Sequence, residues 1–268
     1  MTSLIDDCLP GPTPVIGMLH VPALPGSPHF GGDLVATRAN VLRDAEALAS
    51  GGVQALMIEN FGDVPFFPGS VPAHVVAHLT ALAALVRERF PLPLGVNVLR
   101  NDGRAALAVA QAAGAQFIRV NVLCGARVTD QGVIQGIAHD LLRDRVSLGA
   151  TSVRIFADAN VKHSVPLALR PLADEVRDLV ERGGAEAVIA SGSATGQPTD
   201  LEEVRTVKSA SGRVPVLVGS GVTLDTVVQF LPHADGFIVG TEFKRDGFVA
   251  NPVDRARVER LMSRIRGG

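Results

Sequence analysis

The stretch Val216-Leu217-Val218-Gly219-Ser220-Gly221-Val222-Thr223 sets an apolar, β-branched run directly before two glycines and a serine. Shortly downstream, Phe237-Ile238-Val239-Gly240-Thr241-Glu242-Phe243-Lys244 does the same. A short apolar run that ends on glycine reads as a buried strand feeding a turn. Two of them, separated by a helical stretch near Thr223–Leu231, read as neighbouring parallel strands of an α/β protein.

Outward from there the same alternation fills the chain. Strands are expected at Val15–His20, Val53–Glu59, Leu94–Val98, Phe117–Val122, Ser152–Asp158, Ala187–Ser191, Val214–Ser220 and Gly236–Gly240. Helices are expected near Thr37–Ser50, Ala73–Arg89, Gly103–Ala113, Gly136–Leu148, Pro171–Arg182, Asp200–Ser209, Thr223–Leu231 and Pro252–Arg266. Eight strand–helix units over 268 residues predict one (β/α)8 TIM barrel, a fold of about 250 residues, with residues 1–13 as an irregular leading segment. An open doubly wound sheet would carry its glycine-rich phosphate turn after the first strand. Here that turn is Val21-Pro22-Ala23-Leu24-Pro25-Gly26. Four helix-to-strand joints, at Gly52, Gly114, Gly149 and Gly184, place glycine where a helix closes in the left-handed conformation.

Composition narrows the class. Hydrophobic residues are 47% of the chain and charged ones 19%, with a formal net charge of −2. That balance builds a core and gives nucleic acid no electrostatic hold. No run approaches a membrane span, and no basic-then-apolar leader opens the chain. Cys8 and Cys124 have no metal-ligand spacing and read as free thiols. The expectation is a cytoplasmic protein without integral membrane contact.

The late glycine turns form a candidate phosphate end. Gly219, Ser220, Gly221, Gly240 and Thr241 lie on adjacent loops, with Ser191 and Ser193 on the turn before them. Barrel phosphate sites form at this position, where glycine lets backbone N–H groups approach an anion and a helix N-terminus adds its dipole. Plain tight turns are the alternative. Lys244 is either an anion partner or a surface lysine.

Early strands end on polar groups instead: His20, Glu59-Asn60, Asn97, Arg119 with Asn121, and Asp158 with Asn160. Alternation puts Met57 with Glu59, Arg119 with Asn121, and Arg154 with Asp158. If those faces point inward, the tips ring the barrel mouth, and Arg119 and Arg154 need carboxylates, which Glu59 and Asp158 can supply. Three readings stay open. Glu59 or Asp158 is a general base with Lys162 or His163 as acid; or His20, Glu59 and Asp158 hold a divalent metal; or the ring is a structural ion-pair network. Proton transfer is preferred because no dense His/Asp spacing motif is present. The loop Asn60–Pro68, with three phenylalanines, is a lid, a stacking wall or an oligomer contact. Asp130 and Gln131 are weaker candidates for substrate contact.

Several stretches resemble the BtpA/SgcQ family: Val15-Ile16-Gly17-Met18-Leu19-His20, Ile58-Glu59-Asn60-Phe61-Gly62-Asp63-Val64-Pro65-Phe66, Arg119-Val120-Asn121-Val122 and Asp158-Ala159-Asn160-Val161-Lys162-His163-Ser164. The resemblance spans nearly the whole chain. It implies a barrel of the ribulose-phosphate-binding sort. The family is named for a cyanobacterial factor needed for photosystem I accumulation, although its members are widespread beyond photosynthetic organisms. The preferred expectation is an enzyme acting by acid–base chemistry on a phosphorylated sugar or nucleotide-like small molecule, as an isomerase, lyase or glycosyl-bond-cleaving enzyme. The alternative is a non-catalytic assembly or regulatory factor. A homo-oligomer is compatible with either.

Overall fold

The computed structural model describes Ile5 and residues 8–192 and 199–267. Eight parallel strands close into a barrel: β1 (Val15–His20), β2 (Ala55–Glu59), β3 (Leu94–Asn97), β4 (Phe117–Val120), β7 (Arg154–Asp158), β9 (Ala187–Ala190), β10 (Val216–Val218) and β11 (Gly236–Val239), with β1 hydrogen-bonded to both β2 and β11. Outside them lie α1 (Leu34–Gly51), α2 (Ala73–Arg89), α3 (Gly103–Ala113), α4 (Ala138–Ser147), α5 (Leu172–Arg177), α6 (Leu201–Ala210), α7 (Val227–Phe230) and α8 (Arg255–Arg266). This is a (β/α)8 TIM barrel.

Almost every barrel-strand residue is buried, because one face meets helices and the other the barrel interior. Val15, Leu19, Leu56, Ile58, Val96 and Ile118 face the helices. Ile16, Met18, Ala55, Met57, Phe117, Phe156, Ile189, Leu217 and Ile238 fill the interior, joined at its base by Ile5, Cys8 and Leu9 of the leading segment. Phe117 and Phe156 stack with ring centroids 4.6 Å apart. Gly95 makes room for them, since a Cβ there would sit 2.0 Å from the Phe117 ring. Gly52, Gly114, Gly149 and Gly184 all take positive φ, so the helix-to-strand joints close as expected.

Three departures bear on the site. The expected helix Thr223–Leu231 is one turn, Val227–Phe230, because Thr223 and Thr226 each bond the other's backbone N–H in a preceding turn. The helical stretch after Pro171 changes to a π-helix over Asp178–Arg182. A second sheet, unforeseen in the sequence, is antiparallel in the order β6 (Gly132–Gln135), β5 (Ala126–Thr129), β8 (Ser164–Pro166). It is built from the loops that follow β4 and β7, and so caps that side of the mouth.

Candidate active site

One strand step beyond the apolar interior, the same inward faces become polar. Pairing sets His20 beside Glu59, Glu59 beside Asn97, and Asn97 beside Arg119, a continuous arc across four strands. Above it opens a cavity of about 460 Å³ lined by Glu59, Arg119, Lys162 and His20 on one side and Gly219–Thr223, Gly240 and Thr241 on the other. Acid–base tips and late glycine turns therefore share one cavity.

Arg119 donates to both oxygens of Asp158 at 3.0 Å, and Asn121 adds a third bond to that carboxylate at 2.7 Å. Burial works against the Arg119 charge, but Asp158 and Glu59 outweigh it and hold the guanidinium above its usual value. Asp158 is thus committed to its partners. Arg154, by contrast, meets Glu186 at 2.6 Å rather than Glu59 or Asp158, because it opens β7 at the opposite end of the barrel from the mouth.

Among the described residues Glu59 has no such bidentate partner. Burial raises its pKa, against the pull of Arg119 and Lys162. His20 Nε2 lies 4.0 Å from Glu59 Oε1, and the imidazole stacks on Phe61 with centroids 4.4 Å apart. Burial, with repulsion from Lys244, Lys162 and Arg119, lowers His20 to about 3, so it is neutral at physiological pH. Lys162 Nζ donates to the Gly219 carbonyl at 3.0 Å, linking the two halves of the cavity. Burial, then Arg119, lowers its pKa to about 8. A raised carboxyl and a lowered ammonium in one cavity are the components of proton transfer near neutral pH.

The other expected site residues divide. Asn121, Ser220, Gly221 and His163 line the cavity, His163 at its exposed edge. Ser191 is buried beside Gly219, its hydroxyl 3.4 Å from where a Gly219 Cβ would stand. Asn97 is in the wall, bonding the Arg119 carbonyl and Asn121. Ser193 lies outside the described residues. Asn160 turns away toward Arg127 and Glu203. Lys244 is neither a surface lysine nor part of the lining: it is 2% exposed and paired with Asp44 of α1 at 2.7 Å. The glycine turns gain no long-helix dipole, since α7 has only four residues and α8 begins well past Gly240. Among the described residues no three His, Cys, Asp or Glu side chains could hold a metal ion, and both Asp158 oxygens face Arg119 and Asn121. His20, Glu59 and Asp158 do not form such a group among those residues.

The Glu-Asn-Phe-Gly-Asp stretch also has a structural purpose. Asn60 Oδ1 accepts the Leu99 N–H at 2.7 Å, and Asp63 Oδ1 accepts the Leu24 N–H at 2.7 Å, stapling the loops after β1, β2 and β3 together. Gly62 is required because a Cβ would fall 2.2 Å from the Ala23 nitrogen. Within this loop Phe61, Val64 and Phe66 line the cavity, while Phe67 is half exposed. Arg100 is a lining residue that sequence reasoning missed; its guanidinium holds the Lys162 carbonyl. Its place in the loop just past the strand that ends at Asn97 was the available signal.

The BtpA family model matches residues 12–267. The chain belongs to the BtpA family. An archaeal relative from Thermococcus kodakarensis is 48% identical over 93% of this chain and 94% of its own length. The photosystem I biogenesis protein BtpA of Synechocystis is 42% identical over 95% of this chain and 88% of its own. Among solved structures, the N-(5'-phosphoribosyl)anthranilate isomerase of Pyrococcus furiosus aligns with a TM-score of 0.58 at 13% identity, covering 96% of this chain and all of that one. The orotidine 5'-phosphate decarboxylase of Pyrococcus horikoshii aligns at 0.57 and 15%, covering 95% of this chain and 100% of that one. At such identities they share the fold. No helix among the described residues of this BtpA-family chain is long and apolar enough to cross a membrane.

Proposed function

We propose that this BtpA-family barrel is an enzyme that moves a proton on a phosphorylated sugar or nucleotide-like small molecule, in an isomerase, lyase or glycosyl-bond-cleaving reaction. The observation that carries this reading is Lys162, whose ammonium reaches the Gly219 carbonyl in the cavity that Glu59 also lines. Glu59 is the base and Lys162 the acid, with Asp158 holding Arg119 in place and the backbone of Gly219–Val222 and Gly240–Thr241 receiving the phosphate. The phosphate-bearing substrates in the names of the two barrels of like fold support this reading.

A thermal-shift series of sugar phosphates and nucleotides, with and without divalent metal, tests it. Phosphorylated compounds raise Tm and their dephosphorylated counterparts do not, and Thr241→Glu removes the difference. Equal response to both forms contradicts the reading. A second reading, a non-catalytic assembly factor, draws on the name of the Synechocystis relative. It predicts one stoichiometric partner in a pull-down, lost on changing Phe66 and Phe67 to Ser.

A further inference from the structure

Arg100 stands in the loop between β3 and α3, where its neighbours hold the backbone on both sides. Its own N–H donates to the Phe67 carbonyl at 3.0 Å. Leu99 before it is bonded by Asn60, and Asn101 after it accepts the Val122 N–H at 2.8 Å and donates to the Val122 carbonyl at 3.0 Å. The Arg100 side chain is 7% exposed and lines the cavity. A guanidinium has five N–H donors. Among the described residues this one meets a single acceptor, the Lys162 carbonyl, and has no ion pair with a carboxylate. Burial lowers its pKa, and the more distant Asp158 and Asp130 restore it only in part.

The charges around the cavity lead to the same residue. Of the carboxylates in the lining, Glu242 is paired with Arg257 at 3.3 Å, which leaves Glu59. Asp158 already neutralises Arg119, so Glu59 alone faces both Lys162 and Arg100. One buried cation therefore lacks a counterpart among the described residues, a costly arrangement unless a ligand supplies it. In the closed strand order β3 is four steps from β10 in either direction. Arg100 and the Gly219–Val222 turn thus flank the mouth from opposite sides, across a cavity of about 460 Å³ that is in the range of small-molecule sites.

We propose that Arg100 binds a second anionic group of the substrate, a carboxylate or a phosphate, across the cavity from the phosphate at the glycine turns. The substrate is then a doubly anionic sugar derivative, either a phosphorylated sugar acid or a bisphosphate. The assignment rests on the phosphate reading of the glycine turns and names the other end of the same molecule. The guanidinium fork offers either anion two parallel N–H donors. A singly anionic sugar phosphate would leave Arg100 uncompensated on the far side.

Isothermal titration calorimetry of the full chain with two matched pairs of compounds tests this. One pair is 6-phosphogluconate and sorbitol 6-phosphate; the other is ribulose 1,5-bisphosphate and ribulose 5-phosphate. Within each pair the members differ by the second anion. The doubly anionic member of at least one pair binds about tenfold tighter or more, the size of one charge-assisted contact. A preference in the first pair alone assigns a carboxylate, and in the second alone a phosphate. Arg100→Gln, which can still donate to the Lys162 carbonyl but carries no charge, makes the members of that pair bind alike. Should this variant lose the wild-type circular dichroism spectrum, Arg100→Lys is read in its place, and loss of the fork cuts the preference by about threefold or more. Wild-type binding that is equal within both pairs overturns the proposal and leaves the phosphate reading standing. So does a preference that survives undiminished in the folded variant. If none of the four compounds binds, phosphate recognition itself fails and this proposal with it.

Discussion

Arg119 carries a charge inside the barrel, and the two oxygens of Asp158 compensate for its lost hydration. Asp158→Asn keeps the shape but leaves that charge unpaired, so urea unfolding is expected to show a loss of about 3–5 kcal/mol. Lys162 behaves in the opposite sense. Its pKa falls from 10.5 to about 8 on folding, so between those values the unfolded chain binds more protons and stability rises with pH. Below about pH 8 the cost of the buried ammonium is present in full. Lys162→Met is therefore expected to melt higher than wild type at pH 7, by on the order of 1–3 kcal/mol after allowance for solvent at the mouth. The margin shrinks as pH rises from 8 toward 10.5, while proposed turnover falls about 10²–10⁴-fold. A melting series across that pH range, with activity at each point, checks both. At this scale strand alternation made the inward ring of His20, Glu59, Asn97 and Asp158 legible before any coordinates. Lys244 was not legible, because its partner Asp44 lies 200 residues earlier on a helix outside the barrel.

The elements were readable where burial imposes a strict pattern. Val15–His20, Ala73–Arg89 and Gly103–Ala113 match the sequence reading end to end. The mouth-side sheet was not, because strands of three or four residues with valine on the solvent face carry no clean alternation, and β8 pairs with β5 across a whole helix. That sheet is anchored by Ile134, which packs with Val122 and Val161 apart from the main core. Ile134→Ala is expected to cost about 2–4 kcal/mol locally. Hydrogen exchange should then accelerate in β5, β6 and β8 and stay unchanged in the barrel strands.

Across the whole molecule the barrel is apolar at its base and polar at its mouth. The base is closed by Ile5, Cys8 and Leu9, which belong to the same cluster as Met57 and Phe156. Leu9, 1% exposed, should cost about 2–5 kcal/mol when cut to Ala. The neighbouring Cys8 thiol, 2% exposed, should then react with a thiol reagent faster than in wild type, measured by labelling kinetics. That closed base leaves the mouth as the place where a substrate meets both ends of the cavity. The decisive measurement is a crystal structure of the protein soaked with ribose 5-phosphate. The phosphate is expected against the backbone of Gly221 and Gly240, with the carbon chain running to Glu59 and Lys162. A phosphate bound away from those turns, or a carbon chain directed out of the cavity, would contradict it.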